Sequence, residues 1–349
     1  FTSNDTITVN TTGSGIVHVE GNSGTINTTS ASKFDLSAGS DITITGLVSG
    51  NNEITLGSSN HITTGGGNDH ITVNGSSSTV NAGDGANVIT VSGGHNSIVS
   101  GANDDHITVT GSDNKVEAGN GANIVTVSGD RNDILSGTDA DDITIDGASN
   151  TVNAGNGYNV ITVHGGSNKI TTGTDADHIT IDGASNTVNA GNGDNVITVH
   201  GGSNKITTGA DSDDITIDGA SNTVDAGNGA DKITVSSGTN NSINGGNGND
   251  SIEVNSDSNT ILGGAGEDHV TIAGNNNTVD GGADADKITV SSGTSNSING
   301  GDSNDSIEVN SDSNTILGGA GEDHVTIAGN NNTIDAGTGD DNVTVSGNS

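Results

Sequence analysis

The chain has 349 residues, of which only 28% are apolar and 1% aromatic, too few to build a conventional globular core. Its 44 acidic residues against 7 basic ones give a formal charge of -37, which argues against nucleic acid as a partner and opposes compaction unless cations neutralise it. It contains no cysteine, methionine, proline or tryptophan, and no apolar run long enough to span a membrane or form a signal-peptide core.

Residues 1–50 are the least regular. Ile7, Val17, Ile26, Phe34 or Leu36, and Ile44 keep a spacing near nine, which predicts irregular or capping coils at the N-terminus. Residues 51–349 then repeat strictly. One aliphatic ladder returns every eighteen positions from Ile71 through Ile89, Ile107 and Val125 to Val343, with two single-residue slips. A second, from Ile62 through Val80 and Ile98 to Ile334, runs midway between. Eighteen residues therefore carry two short strands and two turns. The fold class expected is all-β, a parallel β-solenoid of about nineteen coils. At ~4.8 Å per coil such a stack would be on the order of 90 Å long. No linker or second domain interrupts it. Parts have been duplicated: residues 137–172 recur at 173–208 with two differences, and the run from Thr260 to Thr278 recurs unchanged from Thr315 to Thr333.

The two turns of each coil differ. On one side Asn stands two residues before the aliphatic, as Asn96, Asn114, Asn132 and so on to Asn332. Stacked amides one coil apart can bond one another and the turn backbone, a structural role. On the other side the same position is mostly Asp: Asp69, Asp105, Asp141, Asp177, Asp213, Asp231, Asp250, Asp268, Asp286, Asp305, Asp323 and Asp341. The gaps are Asn87, Asn123, Asn159 and Asn195, which alternate with Asp through the first part of the row. Carboxylates stacked at ~5 Å with no basic partner repel. Ca²⁺, which accepts irregular sets of carboxylate and backbone oxygens, relieves that repulsion most simply. A mixed Asp/Asn ladder held by hydrogen bonds alone is the competing arrangement.

The runs GGNGNDSIE (245–253) and GGAGEDHVT (263–271 and 318–326) resemble the glycine-rich nonapeptide of RTX proteins, GGxGxDxUx with U aliphatic. That resemblance implies a β-roll in which two nonapeptides form a coil, the glycine-rich turn holds Ca²⁺ between successive coils and the Asp supplies ligands. Asp250, Asp268 and Asp323 then match best, followed by Asp231, Asp341 and Asp69. Only one turn per coil fits, so the calcium row is expected on one side. Turns such as GTDAD and GADAD place Asp139, Asp175, Asp211 or Asp284 where the motif has its last glycine. Such a residue either forgoes a positive φ, tolerates it, or adds a ligand.

His70, His106, His178, His269 and His324 fall on non-adjacent coils, as do His164 and His200, so a solvated face is expected rather than a transition-metal site. No single asymmetric constellation stands out from the repeats, so no catalytic residues are assigned and the chain is not expected to be an enzyme. The outward threonines Thr72, Thr90, Thr108 and their successors resemble the arrays of ice-binding segments, although Glu253 and Glu308 interrupt them.

The function expected is an extracellular, calcium-binding structural β-roll serving as adhesin shaft, surface-layer component or filament subunit. The alternatives are an ice-binding segment and the noncatalytic module of a secreted enzyme. Partners would be further copies joined end to end, or a larger parent adhesin. Phe1 would then be either a processed terminus or the start of an excised segment.

Overall fold

The computed structural model describes residues 5–9, 15–28, 33–45 and 50–347, with side chains from residue 15 onward. Phe1 and the side chain of Ile7 lie outside the described residues. The chain is an all-β parallel β-solenoid, and no helix occurs among the described residues. Each strand follows from the local alternation. In His106–Val109, Ile107 and Val109 are fully buried while Thr108 is half-buried on the outer face, as successive strand residues must be. A shorter strand, Lys115–Glu117, turns back and presents Val116 to the same interior.

The backbone falls into two units, Phe1–Gly173 and Thr174–Ser349. In the first unit one sheet runs by parallel pairing from Ile16–His18 to Val160–Val163 and the other from Asp5–Val9 to Lys169–Thr172. In the second unit the sheets run from His178–Ile181 to Asn342–Val345 and from Thr187–Gly191 to Thr333–Thr338. Pairing is in register, so like stacks on like: Ile107 lies between Ile89 and Val125, and Ile288 between Val270 and Ile307.

The two slips do not break this register. Ile233 pairs with Ile252 and Ile288 with Ile307. In the first slip Val235 still pairs with Val254, while the Asn222 N–H reaches Asn241 across nineteen residues, so the extra residue is absorbed at 236–240. That turn lies on the Asn side. The interior is a narrow stripe: Ile107, Val109, Val116 and Ala118 are each fully buried, and little else apolar is available per coil. Burial of this kind stabilises by about 25 cal/mol per Å². A stripe so thin leaves the buried polar rows at the turns to settle whether the coils hold together.

Candidate metal centre

Both turns are built around an inward-pointing Asn or Asp. On the Asn side, a side-chain Oδ1 typically accepts the backbone N–H of the equivalent residue one coil earlier, as from Asn96 to Asn114 and from Asn114 to Asn132, both 2.8 Å. Some of the amide Nδ2 atoms donate to the next Oδ1 (Asn241 to Asn259, 3.1 Å) or to a turn carbonyl (Asn132 to Gly111 O, 3.0 Å), while those of Asn150, Asn204 and Asn222 make no hydrogen bond. The residue before each of these Asn takes a left-handed conformation without being glycine, as in Ser149 (φ 59°) and Ser313 (φ 60°). That conformation is uncommon outside glycine, and here the stacked bonds on both sides enforce it.

The other row follows the same plan with one atom changed. Asp69, Asp105, Asp141, Asp177, Asp213, Asp231, Asp250, Asp268, Asp286, Asp305 and Asp323 are all buried, each no more than 2% exposed, and Asp341 is half-buried. Their Oδ1 atoms accept a backbone N–H from the preceding coil. Examples are Asn87 to Asp105, Asp231 to Asp250 and Asp268 to Asp286, each 2.8 Å. Asn residues at this position accept in the same way, as Asn123 does from Asp105 at 3.0 Å. Oδ1 therefore does not distinguish Asp from Asn; the second atom does.

Where that atom is Nδ2, it donates to a ring of carbonyls. The Asn87 amide reaches Gly83 O (3.3 Å), Gly85 O (2.9 Å) and, on the next coil, Ser100 O (3.1 Å). Asn123 repeats this with Gly119, Gly121 and Ser136. Where the atom is a carboxylate Oδ2, it has nothing to donate. The Oδ2 atoms of Asp231, Asp250, Asp268, Asp286, Asp305 and Asp323 are buried without a hydrogen-bond partner. A buried charge in that condition is costly.

Glycine stands where this Oδ2 and a neighbouring carbonyl leave no room for a side chain. A methyl group placed on Gly245 would sit 2.3 Å from Asp250 Oδ2 and 2.6 Å from Gly263 O of the next coil. Gly263, Gly281, Gly300 and Gly318 show the same pair of oxygens, with Asp268 and Gly281 O at 2.5 and 2.4 Å in the first case. None of these five glycines has a positive φ. Space, rather than backbone freedom, explains them. At each of these glycines a carboxylate oxygen and a carbonyl oxygen of the next coil come so close that no side chain fits, and together they form a donor set suited to a hard cation. Among the described residues no three His, Asp or Glu side chains converge, so backbone carbonyls would make up most of the coordination.

Burial is the main cause that pushes these carboxyls up. Asp231 and Asp286 rise from 3.8 to about 7, and Asp105, Asp250, Asp268 and Asp305 to about 6. Neighbouring carboxylates of the row add to the rise at Asp231, Asp250, Asp286 and Asp305. Asp69, Asp105, Asp141 and Asp213 also rise through burial, but the hydroxyls of Thr64, Ser100, Ser136 and Thr208 work against it. The Ser100 and Ser136 hydroxyls lie against their carboxylates without completing a well-formed hydrogen bond. None of the ion pairs of Arg131, His200 and Lys232 reaches this row; they join Asp113, Asp182 and Asp218, and Asp214 on the outside.

The turn aspartates divide. Asp211 and Asp284 take left-handed φ values of 80° and 74°, while Asp139 does not. The carboxylates of Asp139 and Asp211 accept the N–H of Gly121 and Gly193, so they support the backbone. His70, His106, His269 and His324 are exposed, and His178 is half-buried. What sequence reasoning missed is the position five residues before the Asp/Asn row. It reads Thr64, Ser100, Ser136 and Thr208 before isolated Asp, Ala82 and Ala118 before Asn, Gly245, Gly263, Gly281, Gly300 and Gly318 before consecutive Asp, and Ala226 and Ala336 before Asp231 and Asp341. That covariation was visible in the repeats, but only the fold shows that the position touches the carboxylate.

The model of the RTX calcium-binding nonapeptide repeat matches residues 49–89, 63–98, 72–107, 99–129, 235–270, 273–295 and 290–325. A family described as protein of unknown function (DUF3060) matches residues 145–203. No curated protein matches the chain. Among solved structures, a hyperactive, Ca²⁺-dependent, β-helical antifreeze protein from an Antarctic bacterium is 24% identical, over 82% of this chain and 84% of that one, with a TM-score of 0.43.

Proposed function

The chain is an RTX-type β-roll protein with Ca²⁺ as its cation, and we propose that it acts as an extracellular structural element whose coils the metal fastens. The carboxylates assigned to the metal are Asp69, Asp105, Asp141, Asp177, Asp213, Asp231, Asp250, Asp268, Asp286, Asp305, Asp323 and Asp341. Those that follow a glycine cradle, Asp250, Asp268, Asp286, Asp305 and Asp323, bind best. One observation carries this reading: a buried Oδ2 without a hydrogen-bond partner and a carbonyl of the next coil converge beside a glycine where no side chain fits. Sites with so few carboxylates are weak and suit the millimolar Ca²⁺ found outside cells. The same residues repeat along the chain and no single asymmetric site is set apart, which favours a mechanical role. Adhesin shaft, surface-layer component and filament subunit are the forms that role would take, with end-to-end copies or a larger parent adhesin as partner.

The cradle gives a direct test. Gly263→Ala and Gly300→Ala add a methyl group that presses on the carboxylate Oδ2 and on the carbonyl of the next coil, 2.4 Å away at Gly281 O and 2.2 Å at Gly318 O, and so displaces both candidate ligands. Calorimetric titration with Ca²⁺ is expected to show fewer ions bound per chain in each variant than in the parent. Equal stoichiometry would move the ions away from these turns.

A second reading rests on the outer face of the first unit. Thr55, Thr72, Thr90, Thr108, Thr126, Thr144 and Thr162 pair in unbroken register, a regular array of hydroxyl and methyl groups. An ice-binding face of this kind would produce thermal hysteresis that Thr108→Tyr reduces. Threonines also stack well in sheets for their own sake, and a freezing assay without hysteresis removes the reading.

A further inference from the structure

The inner row contains two kinds of rung, and they differ in what they need. At Asn87 and Asn123 the side-chain amide occupies the place that Oδ2 holds at Asp250, and it bonds the carbonyls four and two residues before it and thirteen after it. The residues at those offsets from Asp250 are Gly246, Gly248 and Gly263. Asn159 and Asn195 likewise bond the carbonyls of Gly157 and Gly193, at 2.9 and 2.8 Å. The amide does for these turns what a cation would have to do at the Asp rungs: it places positive hydrogens among converging oxygens. The residue five positions earlier is Ala before each of these four Asn and Gly before Asp250, Asp268, Asp286, Asp305 and Asp323, while Ala226 precedes Asp231.

We propose that the Asn amides are built-in substitutes for Ca²⁺, so that the alternating stretch 69–213 holds its coils together without metal while the contiguous stretch 231–323 requires it. Alternation also separates the remaining carboxylates by two coils, which roughly halves their mutual repulsion. The Oδ2 atoms of Asp69, Asp105, Asp141 and Asp213 are also buried without a hydrogen-bond partner, and the Thr64 and Thr208 hydroxyls donate to Ala82 O and Ala226 O instead, so in this stretch the amide rungs carry the load. No hydroxyl stands beside Asp250, Asp268 or Asp286, where the residue five positions earlier is glycine. The RTX nonapeptide match covers 49–129 as well as 235–325, so the division lies in the rung chemistry rather than in family membership. For the Asp stretch the inference rests on the calcium reading above; for the Asn stretch it rests on the amide bonds alone. Its consequence is a chain with a permanently folded part and a part that forms only where Ca²⁺ is plentiful.

Hydrogen exchange on the intact chain, followed by mass spectrometry in excess chelator and in millimolar CaCl₂, tests this. Peptides spanning Ser251–Val254, Lys287–Val290 and Ser306–Val309 are expected to exchange at least about a hundredfold faster without Ca²⁺. Those spanning Val88–Val91, His106–Val109 and Ile124–Val127 should change by less than about threefold. The double variant Asp268→Asn with Asp305→Asn recreates alternation in the contiguous stretch. It should slow exchange there in chelator by at least about tenfold and bind fewer Ca²⁺ ions. Uniform loss of protection in chelator would overturn the amide inference while leaving the calcium sites standing. Uniform retention, with no Ca²⁺ taken up, would overturn both. A double variant that exchanges in chelator as fast as the parent would show that the amide does not replace the ion.

Discussion

Ca²⁺-loaded protein is expected to melt some tens of degrees above the same protein in chelator. Each ion bound only by the folded state stabilises it by about 2.7 kcal/mol when free Ca²⁺ is one hundred times Kd. The glycine-cradled rungs at Asp250, Asp268, Asp286, Asp305 and Asp323 would together contribute on the order of 10 kcal/mol. For a unit of this size each kcal/mol moves Tm by roughly 2–4 °C. The gain is large because it has two sources. Bonds form to oxygens that are otherwise unpaired, and the mutual repulsion of stacked carboxylates, visible in the raised Asp231 and Asp286, is removed. Melting followed by far-UV circular dichroism measures it. Coincident curves with and without Ca²⁺ would mean that the Asx hydrogen bonds alone hold the turns.

The architecture was legible because the interior is one-dimensional. A residue such as Ile107 meets its own equivalents, Ile89 and Val125, on the neighbouring coils, so an eighteen-residue period in the sequence is also the contact list. The two-sidedness of the turns was legible for the same reason, since Asn114 stands in an all-Asn stretch of its row while Asp105 stands in a row that mixes Asp with Asn. The difference between the two side-chain atoms of an inward Asx was not legible. Sequence shows that Asn123 interrupts the Asp series, but only the fold shows its Nδ2 donating to Gly119, Gly121 and Ser136 while Asp250 Oδ2 faces Gly263 O with no proton to offer. Glycine has two meanings along the chain that composition merges. Gly246 and Gly248 need positive φ, at 112° and 122°, whereas Gly245 needs only the absence of a side chain. The left-handed Ser149 and Ser313 were unreadable because nothing local favours that conformation in serine; bonds from the adjacent coils impose it.

Acidification is expected to stabilise the chelated protein and to destabilise the Ca²⁺-loaded one. The carboxyls of Asp105, Asp250, Asp268 and Asp305 are raised by burial from 3.8 to about 6, and those of Asp231 and Asp286 to about 7. A carboxyl whose folded pKa exceeds its unfolded value takes up protons on folding. Its stabilising contribution is fully present below about pH 4 and is lost as pH rises through 6 to 7. Without metal, stability should therefore climb as pH falls from 8 to 5, the reverse of ordinary acid denaturation. A protonated Asp also gains the donor that lets Asn87 bond its carbonyl ring. With Ca²⁺ the sign inverts, because a ligand carboxylate must be ionised and protons compete for it. Loaded protein should be most stable at and above pH 7 and should release its ions as pH falls through 7 to 6. The net charge of -37 also favours low pH, but surface repulsion is screened by salt, whereas the buried row is shielded from it. Denaturant titrations at several pH values in high NaCl, with and without Ca²⁺, separate the two contributions. Two curves that diverge upward from pH 5 to 8 match the buried Asp row. Chelated protein that instead weakens steadily between pH 8 and 5 would show that the row is not held at a cost, and that the cation is not what relieves it.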